Sequence, residues 1–278
     1  HKGVIGPGEQ RLQLNRIAFH VATPSLIFSS VAVSDTDAFF SPVILVIAVA
    51  TVVTMLIYWA ISAIFFRQDA AETMAGAASS SYYNSVNIGL PIATYVLGDA
   101  TFVVPALVLQ MAVLSPIVIA GLDRSSSGVA KSVLSGLTAP VVVAAFAGFA
   151  VSAASWTVPE PVLAPLEILG GASIPLILMS FGASLTGEKV LTSHRGPTLT
   201  ATALKLVGMP AVAWIVAKLL HLGPEEMYAA LILCALPTAQ NVYNYAATYR
   251  SGEVICRDTV FLTTFLALPA MLLIAGVF

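Results

Sequence analysis

The chain has 278 residues, 58% of them hydrophobic and only 9% charged, with a net charge of −2, whereas a soluble domain carries about 25% charged residues. This excludes a water-soluble globular domain. The 12 lysines and arginines are spread thinly along the chain, which excludes a nucleic-acid surface.

A bilayer core takes about 20 apolar residues per helix. Runs of that kind lie near 12–33, 39–66, 72–97, 101–121, 129–154, 161–185, 197–220, 226–249 and 256–278. Loops between them are short, and backbone outside helices cannot face lipid. The chain therefore reads as one all-α polytopic membrane domain. Its opening, HKGVIGPGEQR, reads as a loop after an earlier span, so a further helix is expected upstream of residue 1.

The first span carries TPSLIFSSVAVS (23–34) and, near its start, His20. After a plain apolar span at 39–66 comes SSSYYNSVNIGLPIATYVLGD (79–99), where serines, tyrosines, asparagines, a glycine and a proline interrupt an otherwise apolar helix. The span at 101–121 ends in LSPIVIAG. The spans at 129–154 and 161–185 hold Pro140, Gly170, Gly171 and Pro175, residues suited to close helix packing, with Glu167 on the second. Lys205 is the basic residue deep inside a span. An intramembrane charge points to function, although a lysine also snorkels toward a membrane face. The span at 226–249 is again interrupted, by LPTAQNVYNYAATYRSGE (236–253).

These features recur. IPLILMSFGASL (174–185) resembles TPSLIFSSVAVS and aligns Pro175 with Pro24. At near-constant spacing, Gly252-Glu253 aligns with Gly98-Asp99, and Pro269 with Pro116. An odd number of spans separates equivalent positions, so the two units, 1–123 and 124–278, are expected to be inverted repeats of five helices each, the first lacking its first helix. Secondary transporters are often built this way. The same register carries Asn84 onto Thr238 and Asn87 onto Asn241. Two amide-rich, Gly/Pro-interrupted spans at equivalent positions mark a midplane binding site made of broken helices.

The breaks are expected at Tyr83, Gly89 and Pro91 in the first unit and at Pro237 in the second. Second halves starting near Val86 and Ala239 would point two partially positive N-termini at one region, an anion site without arginine. Asn84, Ser85, Asn87, Pro237, Thr238, Ala239, Gln240 and Asn241 are the candidate substrate contacts, suited to a carboxylate. The competing reading is that these side chains only join helices to one another. Tyr82, Tyr83, Tyr243 and Tyr245 either line the site or pack between helices. Cys234 and Cys256 show no metal or disulfide spacing. No phosphate loop, metal cluster or nucleophile triad is present, so neither an enzyme nor a nucleotide-driven pump is expected. Lys2, Arg11, Arg16, Arg67, Arg124, Lys131, Lys189, Arg195, Arg250 and Arg257 fall on one set of alternate loops, and only Lys218 falls on the other. This bias puts the C-terminus outside a cytoplasmic membrane.

LNRIAFHVATPSLIF (14–28), NSVNIGLPIA (84–93), GGASIPLILMSFGASL (170–185), LKLVGMPAV (204–212) and ALPTAQNVYNYAATYRSG (235–252) resemble, in order, the auxin efflux carrier family of PIN-type and bacterial carriers. The resemblance implies ten helices in two inverted repeats, with the fourth and ninth broken and crossing, a fold shared with bile-acid sodium symporters. It further implies scaffold helices at 12–33, 129–154 and 161–185 and a moving transport domain at 39–121 and 197–278. Here Tyr83 stands where family members often have proline, while Pro237 is kept. The symporters' sodium-site glutamate has no counterpart near Leu236 to Asn241. The expected activity is elevator-type secondary transport of small organic anions. Export of auxin-like aromatic carboxylates, and a non-transporting receptor of the same fold, are the alternatives. No cofactor is expected, the coupling ion (proton or sodium) is open, Lys205 is a candidate for charge coupling, and a homodimer through scaffold helices is the expected assembly.

Overall fold

The computed structural model describes residues 9–33, 41–89, 92, 103–123, 134, 137–184 and 189–277. Among them every regular element is helical. The first span runs without interruption through α1 (Glu9–Ile17), a π-helical turn at Ala18–Ala22 and α2 (Thr23–Ala32). α3 (Pro42–Ile61) starts where the Ser41 hydroxyl accepts from the Val43 amide and Pro42 supplies a preset φ, and it continues as a π turn to Phe66. α4 (Ala70–Ser81) is capped by Asp69, whose carboxylate accepts from Glu72 N at 2.8 Å.

α5 (Val103–Val108), a π segment at Leu109–Leu114 and α6 (Ser115–Leu122) form one continuous rod. α7 (Pro140–Ala153), α8 (Glu160–Gly171) and α9 (Ser173–Ser184) follow, the last two parted by a bend at Ala172. α10 (Arg195–Ala203) passes through a π turn at Leu204–Gly208 into α11 (Met209–Leu219). The chain closes with α12 (Pro224–Ala235), α13 (Gln240–Tyr249) and α14 (Glu253–Ala275).

Stretches at Pro42–Phe66, Pro105–Leu122, Glu160–Ala183, Arg195–Leu219 and Glu253–Ala275 are long and apolar enough to cross a bilayer, and Pro140–Ala153 is a shorter apolar helix. The architecture is that of an all-α, multi-pass membrane protein. Two expected spans, near 72–97 and 226–249, hold non-helical backbone in their middle, at Tyr82–Asn84 and Leu236–Ala239. Part of the first lies outside the described residues.

Packing separates the helices into groups. α2 lies against α7 and α8, and α1 against α9. Gly170 makes the α2–α8 approach possible, since a Cβ there would stand 2.7 Å from the Leu26 Cα, whereas Gly171 has open space around it. On the other side α3, α4, α10, α11, α12 and α14 pack on one another, burying Val43, Ile47, Met209, Ala213, Leu233 and Leu236 in a common core. α13 bridges the groups, touching α1 and α9 as well as α4, α6 and α14.

Candidate functional site

Interrupting a helix in a bilayer frees backbone N–H and C=O groups that cost several kcal/mol each if unpaired. Here the two interruptions satisfy each other. Asn84 N donates to Pro237 O at 2.9 Å, and the Thr238 hydroxyl donates to Ser79 O, in the last turn of α4, at 2.7 Å. Thr238 N donates to the Thr263 hydroxyl at 3.1 Å, which draws α14 into the same junction. Gly89 passes so close to the second interruption that a Cβ there would stand 2.9 Å from Leu236 Cδ1.

A cavity opens where these segments meet. It is lined by Tyr83, Asn84 and Ser85 from the first interruption and by Ala239, Gln240 and Asn241 from the second. Of the expected contacts, Pro237 and Thr238 build the junction and do not line the cavity. Asn87 lies in the helical turn Ser85–Gly89, but its side chain and Pro91 lie outside the described residues. The second halves start at Ser85 and Gln240, within a residue of the expected points. The first turn of α13 faces the cavity, so the partial positive charge of a ten-residue helix is directed there.

The opposite wall comes from residues that the sequence reading did not single out. Thr23 and Ser173, whose hydroxyls are 2.7 Å apart, line it together with Leu26, Ile27, Ile174 and Ile177. Gln110 completes the lining from the π segment of the 103–122 rod, and its buried amide nitrogen has no hydrogen-bond partner. Signals for these residues existed. Thr23 and Ser173 stand just ahead of the aligned Pro24 and Pro175, and Gln110 is the lone amide in an apolar span. Among the described residues no charged side chain lines the cavity. About 30 Å³ is open to the centre of a water-sized sphere, room for one or two waters.

Lys205 is fully buried and does not snorkel. Its ammonium donates to Cys234 O at 2.6 Å and contacts Met209 Sδ at 3.2 Å. Cys234 is in the last turn of α12, just before the second interruption, where the helix presents unsatisfied carbonyls and a partial negative charge. Lys205 thus belongs to the junction and not to the cavity wall. His20 is exposed and meets the Phe19 ring edge-on, and Glu167 is exposed on α8. Of the four tyrosines, Tyr83 lines the cavity while its hydroxyl donates to Ala106 O at 2.8 Å. Tyr82, Tyr243 and Tyr245 are buried between helices.

Comparison with known proteins agrees with this architecture. The family model described as "Membrane transport protein" matches residues 1–127 and 123–275. A Rhizobium meliloti protein named "Putative malonate transporter" is 25% identical over 281 residues, covering 95% of this chain and 86% of its own. An uncharacterized transporter of Methanocaldococcus jannaschii is 25% identical over 269 residues, covering 90% and 84%. The chain is therefore a member of the membrane transport protein family, the family of the PIN-like auxin efflux carriers, and is a transporter rather than an enzyme.

Proposed function

We propose that the protein is a secondary carrier of small organic anions, binding a carboxylate at the junction of the two interrupted helices. The observation that carries this reading is the cavity itself. Segments from both interruptions and from the α2 and α9 wall converge on it, and it offers amides, hydroxyls and a helix N-terminus with no fixed charge among the described residues. Neutral donors plus a helix N-terminus suit an anion that must also leave.

A relative that bears the name "Putative malonate transporter" favours a compact aliphatic acid. Movement follows the elevator pattern. The group containing α3 to α6 and α10 to α14 carries the site past α1, α2 and α7 to α9 as one body. The basic residues on alternate loops support a cytoplasmic-membrane protein with its C-terminus outside, and the α7–α9 side offers lipid-exposed surface for a homodimer. Lys205, fixed at the end of α12, compensates charge during the cycle, with proton or sodium as coupling ion.

Uptake of labelled malonate, malate and indole-3-acetate into proteoliposomes tests the proposal. Accumulation of the small acids is the expected result. Accumulation of the indole acid alone would favour the aromatic alternative, and binding without accumulation would favour a receptor.

A further inference from the structure

An ion pair joins the two helix groups outside the cavity. Arg11, on α1, is 9% exposed, and its Nη1 is 2.5 Å from Glu253 Oε1, at the start of α14. The same nitrogen donates to the Tyr243 hydroxyl of α13. Ser180 of α9 donates to Arg11 O at 3.3 Å, so the arginine's own backbone is anchored on the wall side.

One turn further in, Asn15 is buried, and its Nδ2 donates to Asn244 O and to Thr248 Oγ1, both at 3.0 Å. Asn15 Oδ1 and both amide atoms of the buried Asn244 have no hydrogen-bond partner. One turn beyond Asn244 on the same helix stands Gln240, which lines the cavity. A polar seam therefore runs between α1 and α13 from Gln240 at the cavity, past Asn244 and Asn15, to Arg11. Amide and hydroxyl groups do join packed helices in lipid, but here several of them have no protein partner across the seam. These three buried amide atoms can take water or a passing polar group as partners.

Glu253 makes the closed seam specific. A buried arginine without an anion is strongly disfavoured, so Arg11 lets go of Glu253 most readily when another carboxylate takes its place. The guanidinium can donate to either carboxylate.

We propose that Arg11, Glu253 and Tyr243 form a latch over a polar route from the cavity to the basic membrane face, and that Arg11 exchanges Glu253 for the travelling anion when the latch opens. This rests on the anion-carrier reading for the identity of the passenger, but its test needs no substrate.

The test places Asn244→Cys in the full-length protein with Cys234 and Cys256 replaced by alanine. Its labelling is timed with an anionic methanethiosulfonate (sulfonatoethyl) and a cationic one (trimethylammonioethyl). With the latch intact both react slowly. Adding Glu253→Gln raises both rates by roughly tenfold or more, the size of one lost hydrogen bond to a charged group, and makes the anionic reagent the faster. Adding Arg11→Gln as well keeps the rates high but abolishes the preference, whereas Arg11→Lys keeps it. Tyr243→Phe, checked for a monodisperse fold, raises the rates on its own and serves if the Glu253 variant does not fold. Rates unchanged by opening the latch, or an anion preference that survives loss of Arg11, would overturn the proposal. Expected labelling in a protein that moves no carboxylate would leave the latch standing and refute the carrier reading. Intact uptake with unaltered labelling would refute the latch alone.

Discussion

The backbone amide of Asn84 donates to the carbonyl of Pro237 at 2.9 Å, across more than half the chain. Neither partner belongs to a helix, so each interruption exists because the other is there to receive its freed groups. Backbone pairing of this kind fixes the junction beside the cavity.

Asn241 lines the cavity from the first turn of α13. Asn241→Ala is expected to weaken carboxylate binding by about 1.5–3 kcal/mol, the range for a hydrogen bond to a charged group, with the fold retained. Asn87→Ala, its partner in the sequence register, is expected to behave alike. Titration calorimetry on both purified variants decides this, and unchanged affinity in both would take the junction out of the site.

Thr238 works in the other direction, as a builder of the junction. Thr238→Val keeps the shape but deprives Ser79 O of its donor, at a cost of about 1–3 kcal/mol. Thr238→Ser restores it. Melting temperatures should fall for valine and recover for serine, and an equal fall in both would show that the hydroxyl is not what matters.

Lys205 holds Cys234 O in a fully buried position. If it compensates charge, Lys205→Gln keeps a donor there while removing the charge, and uptake by that variant should lose its dependence on membrane potential. Wild-type potential dependence would assign Lys205 to structure alone.

The proposed sliding of one group past the other can be tested covalently. Asn15 and Thr248 touch across the boundary, at 3.0 Å between side-chain atoms, and Ser62 and Thr73 touch within one group, at 2.9 Å. In a background lacking Cys234 and Cys256, an oxidised cysteine pair at 15 and 248 should stop transport, and one at 62 and 73 should not. Full uptake with the first pair demonstrably cross-linked would exclude the division into wall and mover.

Gly252 adopts φ +63°, and a Cβ there would stand 2.2 Å from the Ala75 Cβ. Gly252→Ala should therefore cost about 1–2 kcal/mol for the left-handed backbone plus a steric part. Ala75→Gly should relieve only the second. A double-mutant cycle in thermal unfolding separates them, and full recovery in the double variant would deny the backbone part.

Much of this was legible in the sequence, because its cause is local. Polar residues cannot remain in an apolar run without a partner, so the clusters around Asn84 and Thr238 announced themselves, and their second helical halves begin at Ser85 and Gln240. Thr23, Ser173 and Gln110 were harder, since hydropathy places a span but not its rotation, and an all-apolar helix gives no moment to orient it. The Arg11–Glu253 pair was out of reach for another reason. Both residues read as ordinary loop charges until the fold brings positions 242 apart in sequence together.

The π turns have a consequence of their own. Gln110 lies in one (Leu109–Leu114) and Lys205 in another (Leu204–Gly208), each followed without a gap by ordinary α-helix. Such a turn holds one surplus residue against the α-helical count. When the surplus migrates by a turn along the rod, every side chain it passes swings about 100° around the axis, while the helix ends stay where they are. Migration of this kind would re-aim the amide of Gln110 or the ammonium of Lys205 deep in the bilayer within one helix, with no movement of the helix ends.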